Sequence, residues 1–156
     1  KDRFSNGYYY WKMSRLGLQC KMEWIYADYR GFPHNTFDGR GSRSSILDAA
    51  IYPGEDDTIL STIPYERMRQ GLDDLAYLNT LQYMLENTAS NQLRSEAEAL
   101  LTRIDQMIDD DFSKYQSPEV DEYRWNDMRY DTLRHEISTM ILKLRHAVES
   151  HRNRGD

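Results

Sequence analysis

The chain has 156 residues, of which 39% are hydrophobic and 29% charged, with a formal net charge of −6. That is enough length for one domain with a core of its own, and no run approaches the roughly 18 apolar residues of a membrane-spanning helix. The acidic balance argues against nucleic acid, because neutralising phosphates takes clustered Lys and Arg.

The chain opens on Lys1-Asp2-Arg3 with no initiator Met and no targeting segment, and runs at once into aromatic residues. This start reads as a cut through a larger protein. Tyr8, Trp11, Met13 and Leu16 have the spacing of a short amphipathic helix that ends at Gly17. Residues 20–26 then alternate as a strand, with Cys20, Met22, Trp24 and Tyr26 on one face and Lys21, Glu23 and Ile25 on the other. A single cysteine excludes an internal disulfide and a cysteine-based zinc site, and the neighbours Leu18 and Met22 make Cys20 a buried, inert thiol.

From Asp28 to Ser45 there are four Gly or Pro and no periodicity, the mark of a long loop. A second short strand is expected over Ile46 to Tyr52, ending at a Pro53-Gly54 turn. The acidic run Glu55-Asp56-Asp57 lacks the spaced ligand set of a calcium loop.

The second half is almost free of Gly and Pro and reads as helices. Ser61 or Thr62 can cap the first of them, and Pro64 suits its opening turn, where no N–H is needed. Met68, Leu72, Leu75, Leu78, Leu81 and Leu85 form its expected buried stripe. Gly71 costs this helix roughly 1 kcal/mol relative to Ala, which implies a close approach that excludes a side chain. Arg69 and Asp73, four apart, can pair across a turn.

Leu93, Ala97, Leu100, Leu101, Ile104, Met107 and Ile108 line one face of a second helix, which the acidic run Asp109 to Asp111 is expected to end. Leu133, Ile137, Met140, Ile141, Leu144 and Val148 line a third, starting near Asp121 and packed antiparallel on the second. His151-Arg152-Asn153-Arg154 reads as a frayed, solvated tail. The four histidines form no metal motif, and nothing in the sequence asks for a cofactor.

One stretch is distinctive. Tyr52-Pro53-Gly54, an acidic loop, Thr62-Ile63, and then Arg69, Gly71, Asp74, Tyr77 and Leu78 resemble the C-terminal domain that follows the barrel in many bacterial glycoside-hydrolase-like proteins, relatives of the β-N-acetylgalactosaminidase family. The family pattern has a Tyr-Pro-Gly turn, a Ser-Ile-Arg helix start and an Arg-x-Gly-x-x-Asp-x-x-Tyr-Leu core. Pro64 stands where that Arg is usual. The aromatic helix and the strand around Trp24 resemble the barrel's last helix-to-strand step, and Arg129 to Leu144 resembles the closing helix.

The resemblance implies a mainly α chain with a few short strands, the C-terminal portion of a (β/α)8-barrel protein followed by a helical hairpin. Residues 1–88 would be the barrel's end, and 89–156 an antiparallel helical pair. It also implies a carbohydrate-active, periplasmic or extracellular parent whose Asp-Glu pair lies upstream. Within this chain Glu23, Asp28, Asp38 and Asp48 are candidate acids without an identifiable partner.

Sugar stacking is the better role for residues near the strand end. A pyranose offers C–H faces to aromatic rings and hydroxyls to polar neighbours, which singles out Trp24, Tyr26, Tyr29 and the adjacent Asp28. The structural counterparts are Arg69, Asp74 and Tyr77, which would anchor the motif helix, Tyr77 through a hydroxyl-to-backbone bond. A chain removed from its barrel would expose apolar surface and self-associate. The alternative is a self-standing helical interaction module that uses the stripes at 93–108 and 133–148.

Overall fold

The structure is a computed structural model that describes residues 2–21, 51–53, 58–114 and 125–152. Its elements are α1 (Asp2–Phe4), a π-helical segment (Ser5–Tyr9), α2 (Tyr10–Arg15), β1 (Ile51–Pro53), β2 (Ile59–Ser61), α3 (Ile63–Glu86), α4 (Asn91–Lys114) and α5 (Asp127–Arg152). The first three follow one another without a break and act as one N-terminal helical run.

Local chemistry sets the ends of these helices. The N-terminal run stops in a Schellman turn: Leu18 N–H donates to the Met13 carbonyl and Gly17 N–H to that of Ser14. Gly17 takes φ = 101°, which a side chain disfavours. At the start of α3, Thr62 accepts a hydrogen bond from the Tyr65 N–H at 3.2 Å, and Pro64 occupies the first turn where no donor is needed. Ser90 caps α4 through the Leu93 N–H, and Asn126 caps α5 through the Arg129 N–H.

Charged pairs give the helix directions. Glu96 meets Lys143 and Arg103 meets Glu136, so α4 and α5 run antiparallel. Arg134 meets both Asp74 and the Gln70 carbonyl, while the first turns of α3 and α5 line a common cleft, so these two helices run parallel. Arg3 meets Asp74 and Gly7 abuts Gly71, which sets the N-terminal run antiparallel to α3. The four packed units alternate in direction, and of their connections only that between α3 and α4, residues 87–90, is short.

Three seams fill the core with residues spaced by three and four. Gly71, Asp74, Leu78 and Leu81 come from α3, Ala97, Leu101, Ile104 and Ile108 from α4, and Tyr130, Leu133, Ile137, Met140 and Leu144 from α5. That spacing keeps one stripe facing its neighbours along the whole helix. Tyr8 and Trp11 of the N-terminal run and Trp125 close the end. The core draws on both sides of position 88.

Several expectations are corrected. Leu72 is 57% exposed, because the buried seam passes through its neighbour Gly71 and through Asp74. Leu16 and Val148 also face solvent. Cys20 is exposed rather than buried, since it lies beyond the Schellman turn on an irregular segment. The acidic run Asp109 to Asp111 does not end α4, which continues to Lys114; Asp109 is tied to Lys12 at 2.6 Å. Helix α5 starts at Asp127 rather than near Asp121, behind its Asn126 cap.

Pro53 is the last residue of β1 rather than part of a turn, and it pairs with Ile59 on β2, a strand the sequence does not announce. The antiparallel register matches Ile51 with Ser61 and Tyr52 with Leu60. The chain is thus mainly α, with one short hairpin among the described residues. Of the expected strand over 20–26, Cys20 and Lys21 are irregular and residues 22–26 lie outside the described residues, as do the loop that follows, residues 46–50 of the second expected strand and Gly54.

Candidate functional site

The most developed polar constellation is built around Asp74, on the seam of α3. Its side chain is buried and the residue is 1% exposed. Arg3 reaches it from the N-terminal run, with Nε 2.7 Å from Oδ2 and the second contact, NH2 to Oδ1, at 3.3 Å. Arg134 reaches it from α5, with Nε 2.7 Å from Oδ1, and also donates to the Gln70 carbonyl at 3.1 Å. One carboxylate therefore joins three helical units, and the charge-assisted bonds have the short lengths typical of such pairs.

Gly71 makes this meeting sterically possible. A Cβ built there would stand 2.6 Å from the Arg3 carbonyl oxygen and 3.0 Å from Asn6 Cβ. On the opposite side, a Cβ on Gly7 would stand 2.8 Å from the Gly71 carbonyl oxygen. The two glycines let the backbones touch, and the contact brings Arg3 within reach of Asp74. Gly7 lies within the π-helical turn, a local widening of the helix that is frequent where side chains need re-aiming.

Around the clamp is an aromatic shell. Arg3 lies over the Tyr130 ring at 4.4 Å, and Arg134 over Tyr77 at 5.8 Å. Trp125 packs on Phe4, Tyr8 and Tyr130 at 4.9, 4.8 and 5.5 Å between ring centres. Burial opposes the charge on Arg3, but the hydrogen bond and charge of Asp74 outweigh it and raise the guanidinium pKa. Burial pushes the Tyr8 and Tyr130 phenols well above their ordinary range, and the Asp74 charge adds to the effect on both.

The Tyr8 and Tyr130 hydroxyls and the Trp11 and Trp125 ring nitrogens are buried without a hydrogen-bond partner among the described residues.

The sequence-derived residues divide clearly. Gly71 and Asp74 converge on the clamp. Arg69 does not; it is exposed and pairs along its own helix with Glu66 at 2.9 Å and Asp73 at 3.6 Å. The Arg69 hydrogen bond in turn holds the Glu66 carboxyl below its usual range. Tyr77 uses its ring face against Arg134, and its hydroxyl makes no backbone hydrogen bond among the described residues. Tyr52 and Pro53 contribute backbone pairing in β1. Trp24, Tyr26, Asp28, Tyr29 and the candidate acids Glu23, Asp38 and Asp48 lie outside the described residues.

Comparison with protein-family models, curated proteins and solved structures finds no match in any of the three.

Arg3 and Arg134 carry no signal in the sequence that links them to Asp74. A guanidinium 71 or 60 positions away leaves no local pattern. Beside the clamp an open cleft of about 530 Å³ lies between the first turns of α3 and α5, with Arg3 at its floor. Among the described residues no cluster of His, Cys, Asp and Glu could hold a metal ion, and no helix is long and apolar enough to cross a membrane.

A buried carboxylate held by two guanidiniums is a fastening device.

Proposed function

We propose that this chain is the C-terminal portion of a glycoside-hydrolase-like, carbohydrate-active protein, in which it closes the barrel and edges the sugar cleft without being catalytic alone. One observation carries the reading. The motif residues Gly71 and Asp74 are the ones that dock the aromatic N-terminal run, the segment whose resemblance is to the last barrel helix. A motif helix that grips that segment by close backbone contact and a buried ion pair supports a closing role for it.

The reading as a self-standing helical interaction module has less support. The stripes of α4 and α5 on which it rests are buried within this chain.

The coding sequence upstream of Lys1 tests the proposal. Alternating strand and helix patterns should precede Lys1, with an Asp-Glu pair at the end of one strand. A gene that begins at or near Lys1 would overturn it. The isolated chain should not turn over aryl glycosides, and size measurement should find it self-associating through apolar residues such as Leu72 and Tyr83, which are exposed.

A further inference from the structure

We infer that the cleft between the first turns of α3 and α5 is a binding subsite for a neutral sugar ring. The inference deepens the carbohydrate reading above and rests on it for the ligand class, though its chemistry stands on this cleft alone.

The volume of about 530 Å³ falls within the roughly 300–1,000 Å³ usual for small-molecule clefts. Its floor is Arg3, a guanidinium only 4% exposed, committed to Asp74 through Nε and NH2. The remaining nitrogen, NH1, has a 3.5 Å contact with the exposed Asp131 and no hydrogen bond among the described residues, so it can still donate.

The walls carry charges of both signs. Glu66, Arg67 and Gln70 line it from α3, Glu66 being paired with Arg69, and Asp127 and Asp131 line it from α5. Neither Arg67 nor Asp127 is ion-paired among the described residues. Two helix N-termini also face the cleft, and their partial positive charge is offset by the acidic first turn of α5. Such a cleft disfavours a strong anion, which would meet Asp127 and Asp131, and a strong cation, which would meet Arg3 and Arg67.

A ligand whose groups both donate and accept hydrogen bonds suits opposed donors and acceptors. Ile63 adds apolar surface: it lines the cleft and is 73% exposed, so a C–H face of a ligand can lie against it. Hydroxyls directed at charged walls and a C–H face directed at a side-chain platform describe a sugar ring.

The test is saturation-transfer NMR and titration calorimetry on the full chain, with a panel of free hexoses and N-acetylhexosamines, and with inorganic phosphate as a charged probe. At least one sugar should bind in the millimolar range. Arg67→Ala and Asp127→Ala should each weaken it about tenfold, the usual cost of one charge-assisted hydrogen bond.

Both side chains are exposed, so neither change should alter the melting temperature appreciably; Arg145→Ala, remote from the cleft, should leave affinity unchanged. No binding by any sugar, binding indifferent to both cleft variants, or displacement of the sugar by phosphate would each overturn the inference. These outcomes are separable from the parentage test. A barrel upstream of Lys1 with a cleft that binds nothing refutes only the subsite, whereas cleft-dependent sugar binding without a barrel refutes only the parentage.

Discussion

Arg3 and Asp74 are 71 positions apart in the sequence, and their side chains meet at 2.7 Å in the interior. The contact is in phase with the approach of Gly7 to Gly71, so the ion pair and the backbone contact fix one antiparallel register. A shift by one residue would point Arg3 away from Asp74 and push a side chain into the gap that the glycines keep open. Buried charge is costly to desolvate and is a poor source of net stability, but breaking such a pair leaves the remaining charge stranded.

Replacing Asp74 should therefore be among the most damaging single changes. Asp74→Asn retains the shape but removes the charge facing Arg3 and Arg134, and it should cost about 3–5 kcal/mol. Urea unfolding followed by circular dichroism measures this. A loss below about 1 kcal/mol, typical of exposed pairs, would mean that the clamp is solvated.

The glycines should rank by geometry. Gly71→Ala gains helix propensity of up to about 1 kcal/mol but drives a Cβ to 2.6 Å from the Arg3 carbonyl oxygen. Overpacking of this kind costs typically about 1–3 kcal/mol, and a backbone oxygen cannot rotate aside, so the net effect should be destabilising. Gly17→Ala meets no atom within 4 Å and has only its positive φ to overcome, about 1 kcal/mol or less. Thermal melts of the two variants should show the larger drop for Gly71→Ala.

The helices were legible in the sequence because their apolar residues recur at threes and fours, and because Thr62 with Pro64 marks a helix start by local chemistry alone. Along α3 the same reading misassigned Leu72. The seam there runs through a glycine and an aspartate, neither of which counts as apolar in a stripe search, and burial of Asp74 depends on partners from distant segments. The end of α4 was misread for a related reason. Three successive aspartates look like a terminus, but Asp109 gains a partner in Lys12 from the N-terminal run. Gly71 was legible as a contact point from its cost to the helix, while the identity of what it touches was not.

The buried phenols give a signed pH dependence. Tyr8 and Tyr130 have folded pKa values raised by burial, so the folded state keeps its protons after the unfolded chain begins to lose them near pH 10. Their contribution is fully present below pH 10 and is lost as pH rises towards the folded values. Unfolding free energy should fall by about 1.4 kcal/mol per pH unit for each tyrosine over that window. Denaturant titrations at pH 9, 10 and 11 should yield a slope that Tyr8→Phe makes shallower. At neutral pH Tyr8→Phe should be neutral or stabilising, because the hydroxyl it removes is buried without a partner among the described residues.

Arg134 and Arg103 test whether position or mere charge pairing matters. Arg134 bonds the fully buried Asp74 carboxylate and the Gln70 carbonyl, whereas Arg103 pairs with Glu136 across the open faces of α4 and α5. Arg103→Ala should cost at most about 1 kcal/mol, and that small effect should shrink further in salt because the pair is solvent-screened. Arg134→Ala leaves Asp74 with Arg3 alone and opens a route for water to the clamp, so it should cost about 2–3 kcal/mol and be little affected by salt. Urea midpoints for both variants at low and high sodium chloride separate the two cases. Equal losses with equal salt dependence would mean that Asp74 is not held in a low-dielectric interior.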